Sequence, residues 1–408
     1  MANRSYPAFT ISKKGEAALR KGHPWVYDAE ILTQEPVAEN GMLIDVLSQK
    51  GKYLGTGYYS AHSKIRVRII SSNTNDKFDE AFYTRRLLHA LTYRQTVMQQ
   101  DITASRLVFG EADLFPGLTV DLFQDILVTQ TLSMGIEKIK PLLFPLLVSL
   151  LQKEMGILVR GIFERNDVAL REKEGLRQYK GWFSLPHKDT PTETSVVISE
   201  NDISYLVDFE NGQKTGYFLD QKYNRAAVGR LAKGKRVLDC FTHTGSFALN
   251  AARGGAEQVT AVDISAHALD TAKENAMRND LSAKITLQEA DVFALLPTLK
   301  QEAAKFDFII LDPPAFTKSR ATLSNAMGGY REINKRAMQL LPRDGYLATC
   351  SCSHFVTEGM FRSMLGHAAA DAGVSLRQIE ARAQSPDHPI LWNVPETNYL
   401  KFYIFQIY

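Results

Sequence analysis

Carboxylates and thiols in the C-terminal half of the chain recur where short apolar runs end. Val237-Leu-Asp-Cys-Phe-Thr-His-Thr-Gly-Ser-Phe247 places Asp239 ahead of a glycine, and Asp263 sits at the end of the run Gln258 to Ile264. Asp291 lies in Gln288-Glu-Ala-Asp-Val-Phe293, Asp312 opens an Asp-Pro-Pro turn, and Cys350 and Cys352 share Leu347-Ala-Thr-Cys-Ser-Cys-Ser353. A dinucleotide site would need Gly-x-Gly-x-x-Gly in the first of these turns, so that the backbone can approach a pyrophosphate at a helix N-terminus. Only Gly245 is present there. An aspartate in that turn repels a pyrophosphate but suits a ligand with an ammonium group, such as the methionine part of S-adenosylmethionine. Asp239 is therefore expected to hold this cofactor, with Thr244 and Gly245 in the same turn. Asp263 is expected to accept from both ribose hydroxyls, and Asp291 to take the adenine amino group. Alone, each reads equally well as a capping aspartate in a βα turn; three in register on consecutive strands do not.

Upstream, Asn211-Gly-Gln-Lys-Thr-Gly-Tyr-Phe-Leu-Asp-Gln-Lys-Tyr-Asn-Arg225 precedes the first of these strands. Read blandly it is a loop and a surface helix. Read functionally, Thr215 and Tyr217 cover the methionine end of the cofactor and Arg225 forks onto its carboxylate. Asp312 emerges where the cofactor's methyl group would lie, on a turn stiffened by Pro313 and Pro314. Asp-Pro-Pro resembles the signature with which many methyltransferases hold a flat nitrogen-bearing ring.

A buried cysteine is usually a small hydrophobe, but two at a strand's carboxyl end facing that cleft point to chemistry. C5 of a pyrimidine is too weak a nucleophile to take a methyl group unaided. Attack of a thiolate at C6 makes the ring an enamine whose C5 can do so, after which loss of the C5 proton expels the thiol. A free thiol titrates at about 8.5, so the site must favour the thiolate. Asp312, protonated or through water, is expected to interact with N3 and O2 of the ring and stabilise charge as the sulfur adds.

These residues need a scaffold, and the sequence after Lys233 supplies one. Strands are expected at Arg236 to Phe241, Gln258 to Ile264, Ile285 to Glu289, Phe306 to Leu311 and Tyr346 to Ser351, separated by helical stretches. This is the pattern of a doubly wound, mostly parallel sheet, which binds ligands outside the carboxyl ends of its strands. Further upstream, Gly41 to Leu47, Tyr53 to Tyr59 and Ile65 to Ile70 alternate or are β-rich and predict a small β-barrel. Phe78 to Gln100 has helical spacing, and strand-like pieces around the apolar helix Ile136 to Met155 predict a central α+β domain. Val196 to Phe209 reads as a β-hairpin turning at Glu200-Asn201-Asp202. The expected fold class is multidomain α/β: a barrel over 1–75, a connecting helix and central α+β domain over 76–190, and the hairpin with a Rossmann-like catalytic domain over 191–408.

The 408 residues exceed what a single core usually organises. No segment has the roughly 18 apolar residues of a membrane span, the first 20 residues lack a signal-peptide core, and the three cysteines have no framework spacing. A reducing, cytoplasmic setting without a membrane partner is expected. A formal charge of +3 identifies no nucleic-acid partner. Residues 1–70 do hold ten Lys and Arg against six Asp and Glu.

Taken together, the chain resembles the bacterial 23S rRNA 5-methylcytosine methyltransferases that carry an N-terminal PUA domain. The likeness runs through His23-Pro-Trp-Val-Tyr27, Gly55-Thr-Gly-Tyr-Tyr-Ser60, Gly110-Glu-Ala-Asp-Leu-Phe-Pro-Gly117, Lys214-Thr-Gly-Tyr-Phe-Leu-Asp-Gln221, Asp312-Pro-Pro-Ala-Phe316 and Ser351-Cys-Ser353. It continues through Asp387-His-Pro389 and Pro395-Glu-Thr-Asn-Tyr-Leu-Lys401. The resemblance implies a PUA-like barrel, S-adenosylmethionine as cofactor and 23S rRNA or a large-subunit precursor as partner, with a homodimer left open. It maps the nucleophile of the Ser-Cys-Ser motif onto Cys352, with Cys350 the runner-up. Most RNA 5-methylcytosine enzymes carry a second cysteine after the fourth-strand proline. Here Ala315 and Phe316 follow Pro314, so the base that removes the C5 proton is unassigned.

For RNA docking, Lys13, Lys14, Arg20 and Lys21 beside His23-Pro-Trp25, and Arg66 and Arg68 on one strand, combine cations with aromatics. Lys318, Arg320, Tyr330, Arg331 and Lys335 are expected to guide RNA toward Asp312. Two other readings compete: methylation of a purine ring nitrogen on the same fold, and a non-catalytic RNA-binding or ribosome-assembly factor.

Overall fold

Seven strands build the catalytic sheet, and the computed structural model orders them 3-2-1-4-5-7-6 along the chain: Ile285–Glu289, Gln258–Asp263, Arg236–Cys240, Phe308–Leu311, Tyr346–Ser351, Lys401–Ile407 and Leu376–Arg382. The structure describes residues 5–35, 37–186, 188–317 and 319–408. The first five strands pair in parallel, while Lys401–Ile407 runs antiparallel to both its neighbours. Helices connect the parallel strands because a parallel crossover needs a dozen or more residues. The strand order reverses between Arg236–Cys240 and Phe308–Leu311, the switch point at which such sheets form a ligand crevice. Buried Leu238, Ile309 and Leu347 share one core with Tyr330, Ile333 and Met338 of helix Leu323–Leu340 and with Phe361 and Leu365 of helix Glu358–Ala372.

The N-terminal region holds two more sheets. Six strands run Trp25–Tyr27, Ile65–Ser71, Tyr53–Tyr59, Leu43–Leu47, Ala8–Ile11 and Ile31–Glu35, with register shifts at several pairings. Five more run Tyr179–Phe183, Gly161–Asn166, Ile126–Thr131, Leu118–Phe123 and Ala104–Phe109. Tyr58 and Ile70 of the first sheet share a core with Leu87 of helix Glu80–Met98, Leu122 of the second sheet and Leu147 of helix Met134–Met155. A Cβ on Gly135 would lie 2.1 Å from the Tyr58 ring, so only glycine allows this approach.

Packing thus departs from the linear partition at 75 and 190. One compact unit comprises Met1–Ile198, Val207–Leu219 and Pro386–Thr397; the other comprises Ser199–Leu206, Asp220–Ser385 and Asn398–Tyr408. The predicted hairpin forms from Ser195–Glu200 and Ile203–Asp208, and its turn residues Asn201 and Asp202 both take positive φ, the backbone of a tight hairpin turn. Among the described residues no helix is long and apolar enough to cross a membrane.

Candidate active site

The turn after strand Arg236–Cys240 alternates in backbone hand: Phe241, His243 and Gly245 have φ of 64°, 51° and 81°. Two non-glycine residues in that region are uncommon and mark a turn fixed by its surroundings. The fixing group is Asp239. Its side chain is fully buried, and Oδ2 accepts from Thr242 Oγ1 (2.5 Å) and from the Ala248 amide (2.9 Å) at the start of helix Ser246–Arg253. Among the described residues Oδ1 has no hydrogen-bond partner, nor does the buried Thr244 hydroxyl in the same turn. An unsatisfied buried carboxylate oxygen costs about 1–3 kcal/mol or more. Burial pushes the carboxyl up to about 7, the Asp312 charge adds to the rise, and the Thr242 and Ala248 hydrogen bonds oppose it. Such an atom calls for a donor, best a cationic one, as the α-ammonium of S-adenosylmethionine would be.

Asp263 follows at the end of the neighbouring strand, with Oδ2 accepting from the His243 amide (2.8 Å) and Oδ1 from the Ser265 amide (3.0 Å). Each oxygen retains a lone pair for a hydroxyl. Asp291 is exposed and caps helix Val292–Gln301 through Oδ1 to the Phe293 amide (2.9 Å). The three predicted acids therefore stand at the carboxyl ends of three adjacent parallel strands.

The upstream loop is placed differently. Thr215 and Tyr217 are buried in the other compact unit, where Thr215 Oγ1 donates to Asp121 (2.6 Å), a carboxylate already chelated by Arg106. Arg225 sits on helix Lys222–Leu231, where Nε and one terminal nitrogen fork onto Glu200 at 2.6 and 2.8 Å with both side chains sealed from solvent. The fork expected for a ligand carboxylate is engaged with Glu200, since burying a guanidinium requires a counter-charge. Arg225→Met should destabilise the fold by about 3–5 kcal/mol, because it removes one member of a buried ion pair. A denaturant series in which Arg225→Met/Glu200→Met recovers most of that loss checks this.

The chemistry lies at the next two strand ends. Cys350 is 1 % exposed and donates its S–H to Asp312 Oδ1 at 2.8 Å. Gln221 Nε2 reaches the same oxygen at 3.2 Å. Burial pushes the Cys350 thiol well above its ordinary value, and the Asp312 charge pushes it further. Burial likewise raises Asp312 to about 6, held from rising further by Cys350, Gln221 and the Arg225 charge. Cys352 is half-buried, with Sγ 3.9 Å from the Pro313 carbonyl, so the Ser-Cys-Ser and Asp-Pro-Pro motifs meet. Tyr330 closes the far side: its hydroxyl lies 3.2 Å from Ser353 Oγ and its ring 4.5 Å from that of Phe316.

Several docking residues are engaged internally. Tyr330 is fully buried and cannot meet RNA on the surface. Arg68 is buried against Glu174 (2.7 Å), and Arg66 bonds Asp28 (2.7 Å) and the Ser60 and Ala61 carbonyls. On the surface Arg331 pairs with Asp371 and Lys335 with Glu332 (2.7 Å each), while Lys318 lies outside the described residues. Lys13, Lys14, Arg20 and Lys21 remain exposed, Arg20 paired with Glu16. Two other motifs are structural, since fully buried Arg94 chelates Asp113 and donates to the Asp387 carbonyl (2.9 Å). Gln221, Glu200 and Lys401 were missed as site neighbours. Gln221 and Lys401 each end a motif quoted above, but no local pattern pairs residues 25 or 50 positions apart.

Asp239, Asp263, Asp291 and Asp312 lie at or just past strand ends around the switch point of a domain whose residues 181–405 match the S-adenosylmethionine-dependent methyltransferase family. Residues 9–72 match the PUA-like domain. A ribosomal RNA large subunit methyltransferase I of Klebsiella pneumoniae (strain 342) is 38% identical over 403 residues, 98% of each chain. That of Tolumonas auensis is 40% identical over 393 residues, 96% of this chain and 97% of its own. The chain belongs to the ribosomal RNA large subunit methyltransferase I family. Its fold is also that of a solved SAM-dependent methyltransferase from Streptococcus mutans, with a TM-score of 0.81 at 21% identity, covering 98% of this chain and 99% of that one. A methyltransferase solved with SAH gives 0.82 at 20% identity over the same shares.

Proposed function

We propose that this chain methylates C5 of a cytosine in large-subunit ribosomal RNA, with Cys352 as the nucleophile. The observation that carries the reading is the contrast between the two thiols. Cys350 is sealed and hydrogen-bonded to a carboxylate, which disfavours its thiolate, whereas Cys352 is accessible at the edge of the Asp-Pro-Pro turn. A purine ring nitrogen needs no thiol, so an accessible cysteine against that turn favours the pyrimidine. The names of the relatives support ribosomal RNA of the large subunit as the substrate.

In this reading Asp239 holds the cofactor's ammonium group, Thr244 and Gly245 shape the turn around it, Asp263 takes the ribose hydroxyls and Asp291 the adenine. Thr215, Tyr217 and Arg225 are not required in contact with it. When bound, S-adenosylmethionine supplies the methyl group that the activated C5 takes. The Cys352 sulfur forms a bond to C6, and the C5–C6 π pair moves onto C5. Asp312, at about 6 close enough to neutrality to share a proton, donates toward N3 or O2 as negative charge develops on the ring. Once C5 is methylated, its proton leaves, the pair re-forms the double bond, and the C6–S bond breaks to return the thiolate.

Digestion of large-subunit rRNA treated with the protein and labelled cofactor should yield 5-methylcytidine by mass spectrometry. Label in a methylated guanosine would overturn the cytosine assignment.

A further inference from the structure

Lysine side chains are almost never fully buried unless paired, yet Lys401 is 6 % exposed at the start of the antiparallel strand Lys401–Ile407. Its register partner is Ser351, the residue before Cys352. Its Nζ donates to the carbonyl of Ser353, the residue after Cys352, and to that of Tyr399, each at 2.7 Å. Lys401 therefore meets the Ser351-Cys-Ser353 segment at both ends, by strand pairing at Ser351 and through its ammonium at Ser353. Among the described residues it has no carboxylate within ion-pair distance, although a buried cation held only by neutral carbonyls is poorly compensated. Two carbonyl acceptors would be served as well by a neutral donor.

We propose that Lys401 is a positioning residue whose charge holds the Cys352 sulfur as a thiolate, ready to attack the ring. The proposal rests on the reading of Cys352 as nucleophile. The groups facing this sulfur and Lys401 come from several elements. Cys350 lies on strand Tyr346–Ser351 but keeps its proton in a hydrogen bond to Asp312, and Tyr330 of helix Leu323–Leu340 is neutral at working pH. Glu358, at the start of helix Glu358–Ala372, accepts from the Tyr403 hydroxyl at 2.9 Å. Cys352, between the two residues that Lys401 engages, is thus the thiol placed to share its field, with the Glu358 carboxylate the other anion facing the ammonium. Burial lowers the ammonium to about 8, with the sulfurs of Cys352 and Cys350 and the Glu358 carboxylate opposing, so the cation persists at neutral pH. A cation beside a thiol is a standard means of depressing its pKa.

The test is alkylation by iodoacetamide of the full-length protein without RNA or cofactor, from pH 6 to 10, with Cys352 resolved from Cys350 and Cys240 by peptide mass spectrometry. The wild-type Cys352 midpoint should lie below the ~8.5 of a free thiol, and Lys401→Met should raise it by a unit or more, slowing alkylation at pH 7 about tenfold. Lys401→Arg should restore the low midpoint. In turnover, the loss in Lys401→Met should shrink as pH rises and the thiol ionises unaided. A wild-type midpoint at or above the free value overturns the proposal without any variant, and so does an unshifted midpoint in a folded Lys401→Met. A product other than 5-methylcytidine would instead sink the function itself, which the alkylation experiment does not measure.

Discussion

Cys352→Ala is expected to lose methyl transfer to rRNA by on the order of 10⁴-fold or more, because the other two thiols, Cys240 and Cys350, are buried. Cofactor affinity should stay within about twofold, which separates lost chemistry from lost folding. Cys350→Ser, which keeps a donor toward Asp312, should stay within about tenfold of wild type. RNA carrying 5-fluorocytidine makes the assignment visible: fluorine cannot leave as a proton would, so the C6–S bond persists and a denaturing gel shows a protein–RNA adduct. Wild type and Cys350→Ser should form it and Cys352→Ala should not. An adduct that survives in Cys352→Ala and disappears in Cys350→Ser would move the nucleophile to the sealed thiol.

The second large effect belongs to Asp239. Asp239→Asn removes the charge that faces the cofactor's ammonium group, and a hydrogen bond to a charged partner contributes about 1.5–3 kcal/mol. Calorimetry should therefore show affinity for S-adenosylmethionine falling by roughly 10- to 150-fold. Because burial places the free carboxyl at about 7, wild-type affinity should rise between pH 6 and 8 as the group ionises, and the Asn variant should lose that part of the dependence. Stability moves the other way. A carboxyl raised in the folded state binds more protons there than in the unfolded chain, so the ligand-free fold loses stability as pH climbs from about 4 to 7, by about 1.4 kcal/mol for each pH unit of that interval. Thermal melts at pH 8 should accordingly show Asp239→Asn no less stable than wild type despite its weak binding. A variant that melts far lower would mean that Asp239 is a structural anchor.

What could be read in the sequence was local. Strand, turn and acid lie within a dozen residues at Asp239, Asp263 and Asp312, so a run of apolar residues ending in aspartate carries both the element and its chemistry. The hairpin was equally legible, since Asn201-Asp202 tolerates the left-handed backbone that its turn needs. Helix Lys13–Arg20 and strands Ala8–Ile11 and Ile31–Glu35 went unread because they are short and their pairing is nonlocal. The Arg66 and Arg68 part of the expected basic face was misjudged for a related reason. Alternation shows that Arg66 and Arg68 share one side of a strand, but not that Asp28 and Glu174 wait there. Composition counts charges; only the fold shows which are already neutralised. Strand Lys401–Ile407, a nearly unbroken apolar run, escaped notice because the parallel pattern before it gave no reason to expect an antiparallel insertion.

That insertion sets an order of assembly. Leu376–Arg382 precedes Lys401–Ile407 in the chain but, among the described residues, bonds to the sheet only through it. A nascent chain can thus complete the five parallel strands and their aspartates while the segment that flanks Cys352 is still missing. The cofactor crevice would mature first and the thiol's surroundings last, so a half-finished domain carries an unprimed sulfur. Pulse-labelled translation intermediates offer a way to watch that sequence, with ligand protection of the early strands preceding the change in Cys352 reactivity.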